Sequence, residues 1–338
     1  MRIPSPENGT GAANRHRRAP AIAARSARTR SRCGRGGPGS AANTRMRNDF
    51  VADDIVIASR NDLEAALTTI ARAHRMVFFA GLPGVGKSLL IRELARVAHG
   101  MGRDVHFLQW DGVRPSFESP AIRTRYPERD GVTHPVVRMA IGLWVRAAVV
   151  RWHQAHQSSP GILIGEVPLI GNRLVELAQV HADDAEPLLA GPGTLFVTPV
   201  PSVAVRAAIE SARERTFARP AHPRESTDAP PNVLHELWLD TRALAAQIGA
   251  AAPVADVAAS FDPQMYAAVY RHLLRRRKAV TVRVDVLLEQ GTSVYDVAVE
   301  ATDIIPRGDE AAGILTRLER EHTTAEIEHK VSRWFHSI

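Results

Sequence analysis

Eight residues carry the clearest chemistry in the chain: Gly81-Leu82-Pro83-Gly84-Val85-Gly86-Lys87-Ser88. They fit the pattern Gly-x-x-x-x-Gly-Lys-Ser, in which glycines let the backbone turn with its N–H groups inward. Such a nest at a helix N-terminus cradles a phosphate. Lys87 would reach the β- and γ-phosphates, and the Ser88 hydroxyl would coordinate Mg2+. Nucleotide contacts are expected from Gly81, Pro83, Gly84, Val85, Gly86, Lys87, Ser88 and Leu89, with ATP and Mg2+ as cofactors. Nothing in these residues separates adenine from guanine. Only Lys87, Lys278 and Lys330 are lysines, against 40 arginines. With lysine that scarce, a chance match has a probability on the order of one in a thousand.

A phosphate loop needs an acid for the metal at the end of a neighbouring strand. Ile162-Leu163-Ile164-Gly165-Glu166 offers Glu166 as that metal-side acid; the plain alternative is a surface glutamate after a strand. Asn172 and Arg173 follow closely enough to approach the phosphates or the acceptor. Asp111 ends the run Val105–Gln109 within Trp110-Asp111-Gly112-Val113-Arg114, beside the loop in a doubly wound sheet. A carboxylate there can take a proton from an acceptor hydroxyl, and Arg114 can grip an anionic group; Asp-Gly as an ordinary turn competes with this reading. Arg206 and Arg213 stand two helical turns apart, with Arg215 and Arg219 beyond. They can neutralise charge on a transferring phosphoryl group, or simply pair with Glu210 and Glu214 on a solvated face.

These residues must be held by elements that alternate. Met76–Ala80 reads as a buried strand entering the glycine loop, and Ser88–His99 as the helix leaving it. A helix is expected over 61–74, capped by Asn61-Asp62. Strands are expected at 105–109, 161–164 and 194–200, with helices over 134–157, 170–180 and 202–217. That alternation predicts an α/β fold: a three-layer core with a parallel sheet and right-handed crossovers. After the Pro-rich break at 221–231, helices are expected near 232–248, 263–277, 309–321 and 324–335, with a strand near 280–288. The chain thus divides into a tail (1–47), a nucleotide-binding domain (48–220) and a mostly helical extension (221–338).

This combination resembles the P-loop small-molecule kinases, among them nucleoside monophosphate kinases, adenylylsulfate kinase and chloramphenicol phosphotransferase. The residues that carry the resemblance are the Walker A loop 81–88, Asp111-x-x-Arg114, Glu166 and the arginine helix. It spans about residues 76–220. It implies that Asp111 contacts or deprotonates a small-molecule acceptor and that Arg206 to Arg219 belong to a mobile lid. The family's metal-side acid is commonly Asp, where this chain has Glu166. The competing reading is a conformational or regulatory ATPase acting through a protein partner. Such proteins usually carry an Asp-Glu pair where this chain has Gly165-Glu166.

Charge sharpens the choice of partner. Residues 1–47 hold eleven arginines and one acid, Glu7, a net +10; with +7 overall, residues 48–338 carry −3. The pI near 10.2 therefore belongs to the tail, and the charge of the core argues against a nucleic-acid partner. The tail has hardly a large apolar residue and is expected to be disordered. Translation starting at Met46, a basic solvated tail and a transit peptide all fit it. The sole cysteine, Cys33, permits no disulfide within the chain, which fits a cytoplasmic location. The most apolar stretch, Val136 to Val150, is interrupted by Arg138 and Arg146, so no membrane span is expected. His153 and His156 read as amphipathic surface residues rather than metal ligands. Arg275-Arg276-Arg277-Lys278 reads as a cationic helix end.

Overall fold

The computed structural model describes residues 54–129, 131–218, 222, 231–250, 260–288, 293 and 297–338. The tail 1–47, most of the break at 221–231 and Arg219 lie outside the described residues. In chain order the elements are β1 (Ile55–Ile57), α1 (Arg60–Ala73), β2 (Met76–Ala80), α2 (Lys87–Gly100), β3 (Val105–Leu108), α3 (Trp110–Val113), α4 (Pro120–Arg125) and α5 (Pro135–Ala155). They continue with β4 (Ile162–Val167), α6 (Glu186–Leu189), β5 (Thr194–Pro201), α7 (Val203–Ala218), α8 (Pro231–Gln247), α9 (Pro263–Leu273), β6 (Ala279–Val284), β7 (Ala301–Asp303), α10 (Glu310–Glu321) and α11 (Thr324–Ser332).

Continuous apolar runs make the central strands. Every residue of β2 and β5 is buried, as expected of strands covered on both faces. Among the described residues, seven strands form one all-parallel sheet in the order β1-β6-β5-β2-β4-β3-β7. Side chains alternate between its faces. Met76, Phe78 and Ala80 enter one core with α5, α9, α10 and α11, whereas Val77 and Phe79 enter another with α1 and α2. The result is three layers, helices on both sides of a parallel sheet. From β2 the chain moves to β3 and β4 on one side and to β5 and β6 on the other. The carboxyl end of β2 is therefore a topological switch point, where open α/β sheets bind ligands.

Several expectations need correction. The helix expected over 170–180 is absent: that stretch is a turn through left-handed backbone followed by one 3-10 turn, Val175–Leu177. β4 runs on through Val167, so Glu166 lies inside the strand rather than after it. β3 does not neighbour β2, because β4 is inserted between them. Asp111 thus stands two strand spacings, about 10 Å, from the loop's own strand. Ser59, not Asn61 or Asp62, caps α1 with its side chain. The extension 221–338 supplies two strands to the sheet, with β6 beside β5 and β7 beside β3. The three-residue strands β1 and β7 are too short to show a period.

The Arg275–Lys278 run follows the end of α9, with Arg275, Arg276 and Lys278 exposed and Arg275 donating to His272 O at 2.9 Å, as expected of a cationic helix end; Arg277 is the exception. α9 stops at Leu273, and the Arg277 side chain is fully buried, donating to Glu186 Oε1 at 2.6 Å. Glu186 also accepts from Arg146, which forms a fork with Asp183 at 2.6 and 2.7 Å. This paired set ties α5 and α6 to the segment after α9. Among the described residues, no helix is long and apolar enough to cross a membrane.

Candidate functional site

The site grows from the end of β2. Gly84 (φ +76°) and Gly86 (φ +92°) occupy left-handed backbone, where a Cβ costs roughly 1–2 kcal/mol. Gly81 is required for a different reason: a Cβ there would lie 2.7 Å from the Tyr266 hydroxyl and 2.9 Å from Val85 Cγ2. α2 begins at Lys87 with Gly86 as its N-cap, so no side chain caps the first-turn N–H groups. Val85 is buried, and Pro83, Ser88 and Leu89 are half-buried.

Lys87 is only 5% exposed. Its Nζ donates to Leu82 O at 2.7 Å and pairs with Glu166 Oε1 at 3.2 Å. Strand alternation explains the pairing. Glu166 lies opposite Phe79 in the β2–β4 ladder, and Ile162 and Ile164, four and two residues before it, pack into the α1–α2 core. The Glu166 carboxylate therefore emerges on the α2 side, at the lysine. Burial pulls Lys87 below the usual lysine range; Glu166 opposes this, and Arg213 and Arg173 reinforce it.

Both arginines come from other elements. Arg213 of α7 reaches over the loop, with Cδ 3.9 Å and Nη1 4.0 Å from where a Gly84 Cβ would stand. Arg173 follows β4, its guanidinium carbon 5.7 Å from the centre of the buried Trp110 ring. Burial lowers the Arg173 pKa, while Asp111 and Glu166 raise it and Arg114 lowers it. An arginine so placed keeps its charge. Lys87, Glu166, Arg173, Arg213 and Asp111 thus form one electrostatically coupled group, with Asp111 exposed in the first turn of α3.

Three other candidates are engaged within the protein. Arg114 pairs with Glu118 and, at 2.8 Å, with Glu128, so the free anion grip expected of it is not what the structure has. Asn172 accepts a hydrogen bond from Trp334 Nε1 at 3.0 Å and turns to the C-terminus rather than to the loop. Arg206 is 4% exposed, donates to Glu210 at 2.6 Å and lies 4.9 Å over the Phe261 ring. The pairing with Glu210 is the one expected of a helix face, yet the guanidinium is buried. Among the described residues its Nη1 has no hydrogen-bond partner.

Sequence reasoning missed Tyr266, a fully buried residue of α9 whose hydroxyl accepts the Leu82 N–H at 3.1 Å. It also missed Arg138, which donates to Gly171 O at 3.0 Å, and Trp334. None of the three has a local signal, because each acts on a segment far away in the chain.

A Mg2+-nucleotide fits this arrangement. Among the described residues, no group of three or more His, Cys, Asp and Glu side chains is placed to hold a metal. Mg2+ needs no such cage: one or two protein oxygens and the phosphates suffice, and Ser88 and Glu166 are the residues that would provide them. No family model, curated protein or solved structure matches the chain.

Proposed function

We propose that the chain is a P-loop phosphotransferase of the cytoplasm. It would take Mg2+-ATP on residues 81–88 and pass the terminal phosphoryl group to a hydroxyl or phosphate of a small acceptor. One observation carries this reading. Lys87, buried at the carboxyl end of the central strand, is held between Leu82 O and Glu166, while Arg173 and Arg213 approach it from two other elements. Three cations around one acid and a glycine nest favour a polyanion. Bound Mg2+-ATP would supply the transferable phosphoryl group. Lys87 would exchange its internal partners for the β- and γ-phosphates, and Arg173 and Arg213 would neutralise charge on the group in transfer. Glu166 would serve the metal. Asp111, on the far side of β4, would take the acceptor's proton.

The test is nucleotide turnover with a panel of nucleosides, nucleotides and sugars, run beside Lys87→Ala. Lys87→Ala should lose at least about 10²-fold in turnover, and Glu166→Gln should impair every metal-dependent activity, background hydrolysis included. Asp111→Asn should keep nucleotide binding and background hydrolysis but lose transfer by about 10²-fold or more. Wild-type nucleotide affinity and turnover in Lys87→Ala would overturn the reading. Hydrolysis stimulated by a protein partner, and equally fast in Asp111→Asn, would move the assignment to a conformational ATPase.

A further inference from the structure

The loop that follows β4 passes through left-handed backbone at Gly171 (φ +92°), Asn172 (φ +56°) and Leu174 (φ +54°). Leucine gains nothing in that region to offset its Cβ clash, and Asn tolerates it only moderately. Such a conformation persists where surrounding contacts over-determine it. Here they are visible. Arg138 donates to Gly171 O, Leu174 is 1% exposed in the core, and the Trp334 indole N–H donates to Asn172 Oδ1. Trp334 is 2% exposed, and its own segment is anchored by Arg275, which donates to the Ile338 backbone oxygen. Between Asn172 and Leu174 stands Arg173, whose guanidinium lies over the Trp110 ring and whose charge acts on Lys87 while Glu166 and Asp111 act on it.

We propose that Trp334 and Asn172 form a latch by which the C-terminal turn holds the 171–174 loop in its left-handed conformation and so positions Arg173 over the phosphate loop. The inference rests on the phosphotransferase reading for its effect on chemistry; the latch itself is a statement about the loop. Trp334 and Asn172 are positioning residues and touch no phosphate. The latch gives the C-terminal extension a role at the site, although Trp334 is 162 residues from the side chain it holds.

Two measurements on the full chain test it separately. Amide hydrogen exchange at residues 171–174 should speed up at least about tenfold in Trp334→Phe, which keeps the aromatic packing and removes the donor. It should speed up similarly in Asn172→Gly, which keeps the left-handed backbone and removes the acceptor. Asn172→Asp, which keeps the acceptor, should stay near wild type. Unchanged exchange in Trp334→Phe would overturn the latch whatever the activity. The second measurement is background hydrolysis of Mg2+-ATP. Trp334→Phe should lower kcat about tenfold with less than about a threefold change in KM, and should have no further effect in an Arg173→Ala background, because residues acting as one unit are non-additive. An equal loss in both backgrounds would mean that Trp334 does not act through Arg173, and the proposal would fall. If exchange rises as expected but wild-type hydrolysis proves independent of Lys87, the latch stands, and its catalytic role falls with the phosphotransferase reading.

Discussion

Two loops leave the carboxyl ends of the neighbouring strands β2 and β4, and both run through left-handed backbone. After β2 the left-handed residues are Gly84 and Gly86; after β4 they are Gly171, Asn172 and Leu174. The first loop meets its conformational demand with residue type, since glycine populates positive φ at no steric cost. The second meets it with contacts, from α5, from the buried core and from the C-terminal turn. A loop of the first kind holds its shape locally and can be read from a short stretch of sequence. One of the second kind is only as firm as the packing around it, and it responds to changes far away in the chain.

The sharpest way to break this comparison is to disturb the packing beneath the second loop. Glu176 follows it in the 3-10 turn and lies against α5, where a Cβ on Gly142 would stand 1.7 Å from Glu176 Oε2 and 2.3 Å from its Cδ. In an open helix, Gly→Ala stabilises by about 1 kcal/mol. Gly142→Ala should instead destabilise by about 3 kcal/mol, the upper range for overpacking. Gly313→Ala in α10, where a Cβ meets nothing within 4 Å, should gain about 0.5–1 kcal/mol. Denaturant midpoints decide between them: a Gly142→Ala chain as stable as wild type would show slack where the structure has none.

The second test uses pH. Burial raises the Glu176 carboxyl from 4.5 to about 8, against the opposing pull of its backbone hydrogen bond, Arg146 and Arg138. Between those values the folded chain keeps a proton that the unfolded chain has released. The Glu176 contribution is therefore fully present below about 4.5 and is lost as pH rises through about 8, with a slope of at most about 1.4 kcal/mol per unit. Glu176→Gln, neutral at every pH, should remove that slope. The variant should be more stable relative to wild type at pH 8 than at pH 5, by about 3.5 kcal/mol. Parallel stability curves for the two proteins would mean that Glu176 is ionised in the folded state.

The smallest loss belongs to the first loop. A Cβ at Gly86 meets nothing within 4 Å, so Gly86→Ala tests backbone conformation alone. It should cost about 1–2 kcal/mol, and Gly86→Asn visibly less, because Asn tolerates left-handed backbone better. Thermal unfolding of the two variants gives the answer, and equal losses would show that something other than φ is being disturbed.

The same contrast explains what could be read without the structure. The glycine loop, its strand and its helix were legible because Gly84, Gly86 and Lys87 carry their roles in their side-chain types. The core strands were legible because Met76–Ala80 is apolar throughout and Thr194–Pro201 is broken only by Thr194 and Thr198. The stretch 170–180 misled because Ile170, Leu174 and Leu177 recur at helical spacing, while Gly171, Asn172 and Leu174 take positive φ under contacts that no local window contains. Spacing alone points Asn172 at the phosphates or the acceptor and Arg114 at an anion, since a sequence does not say that Trp334 or Glu118 will reach them first. Tyr266, 184 residues from Leu82, was out of reach for the same reason.

The position of β6 has a consequence for the growing polypeptide. Among the described residues, β1 pairs only with β6, and Ile55 lies opposite Val282. At roughly 5–20 residues per second, the ribosome needs on the order of ten seconds or more to supply that partner after β1 is made. Until then β1 has no place in the sheet, and β5 presents an unpaired, mostly apolar edge, Phe196–Pro201, that β6 will later cover. Such an edge is a template for pairing with another chain. Nascent chains halted before residue 279 should therefore aggregate through β5, even though every residue of the glycine loop has already been made.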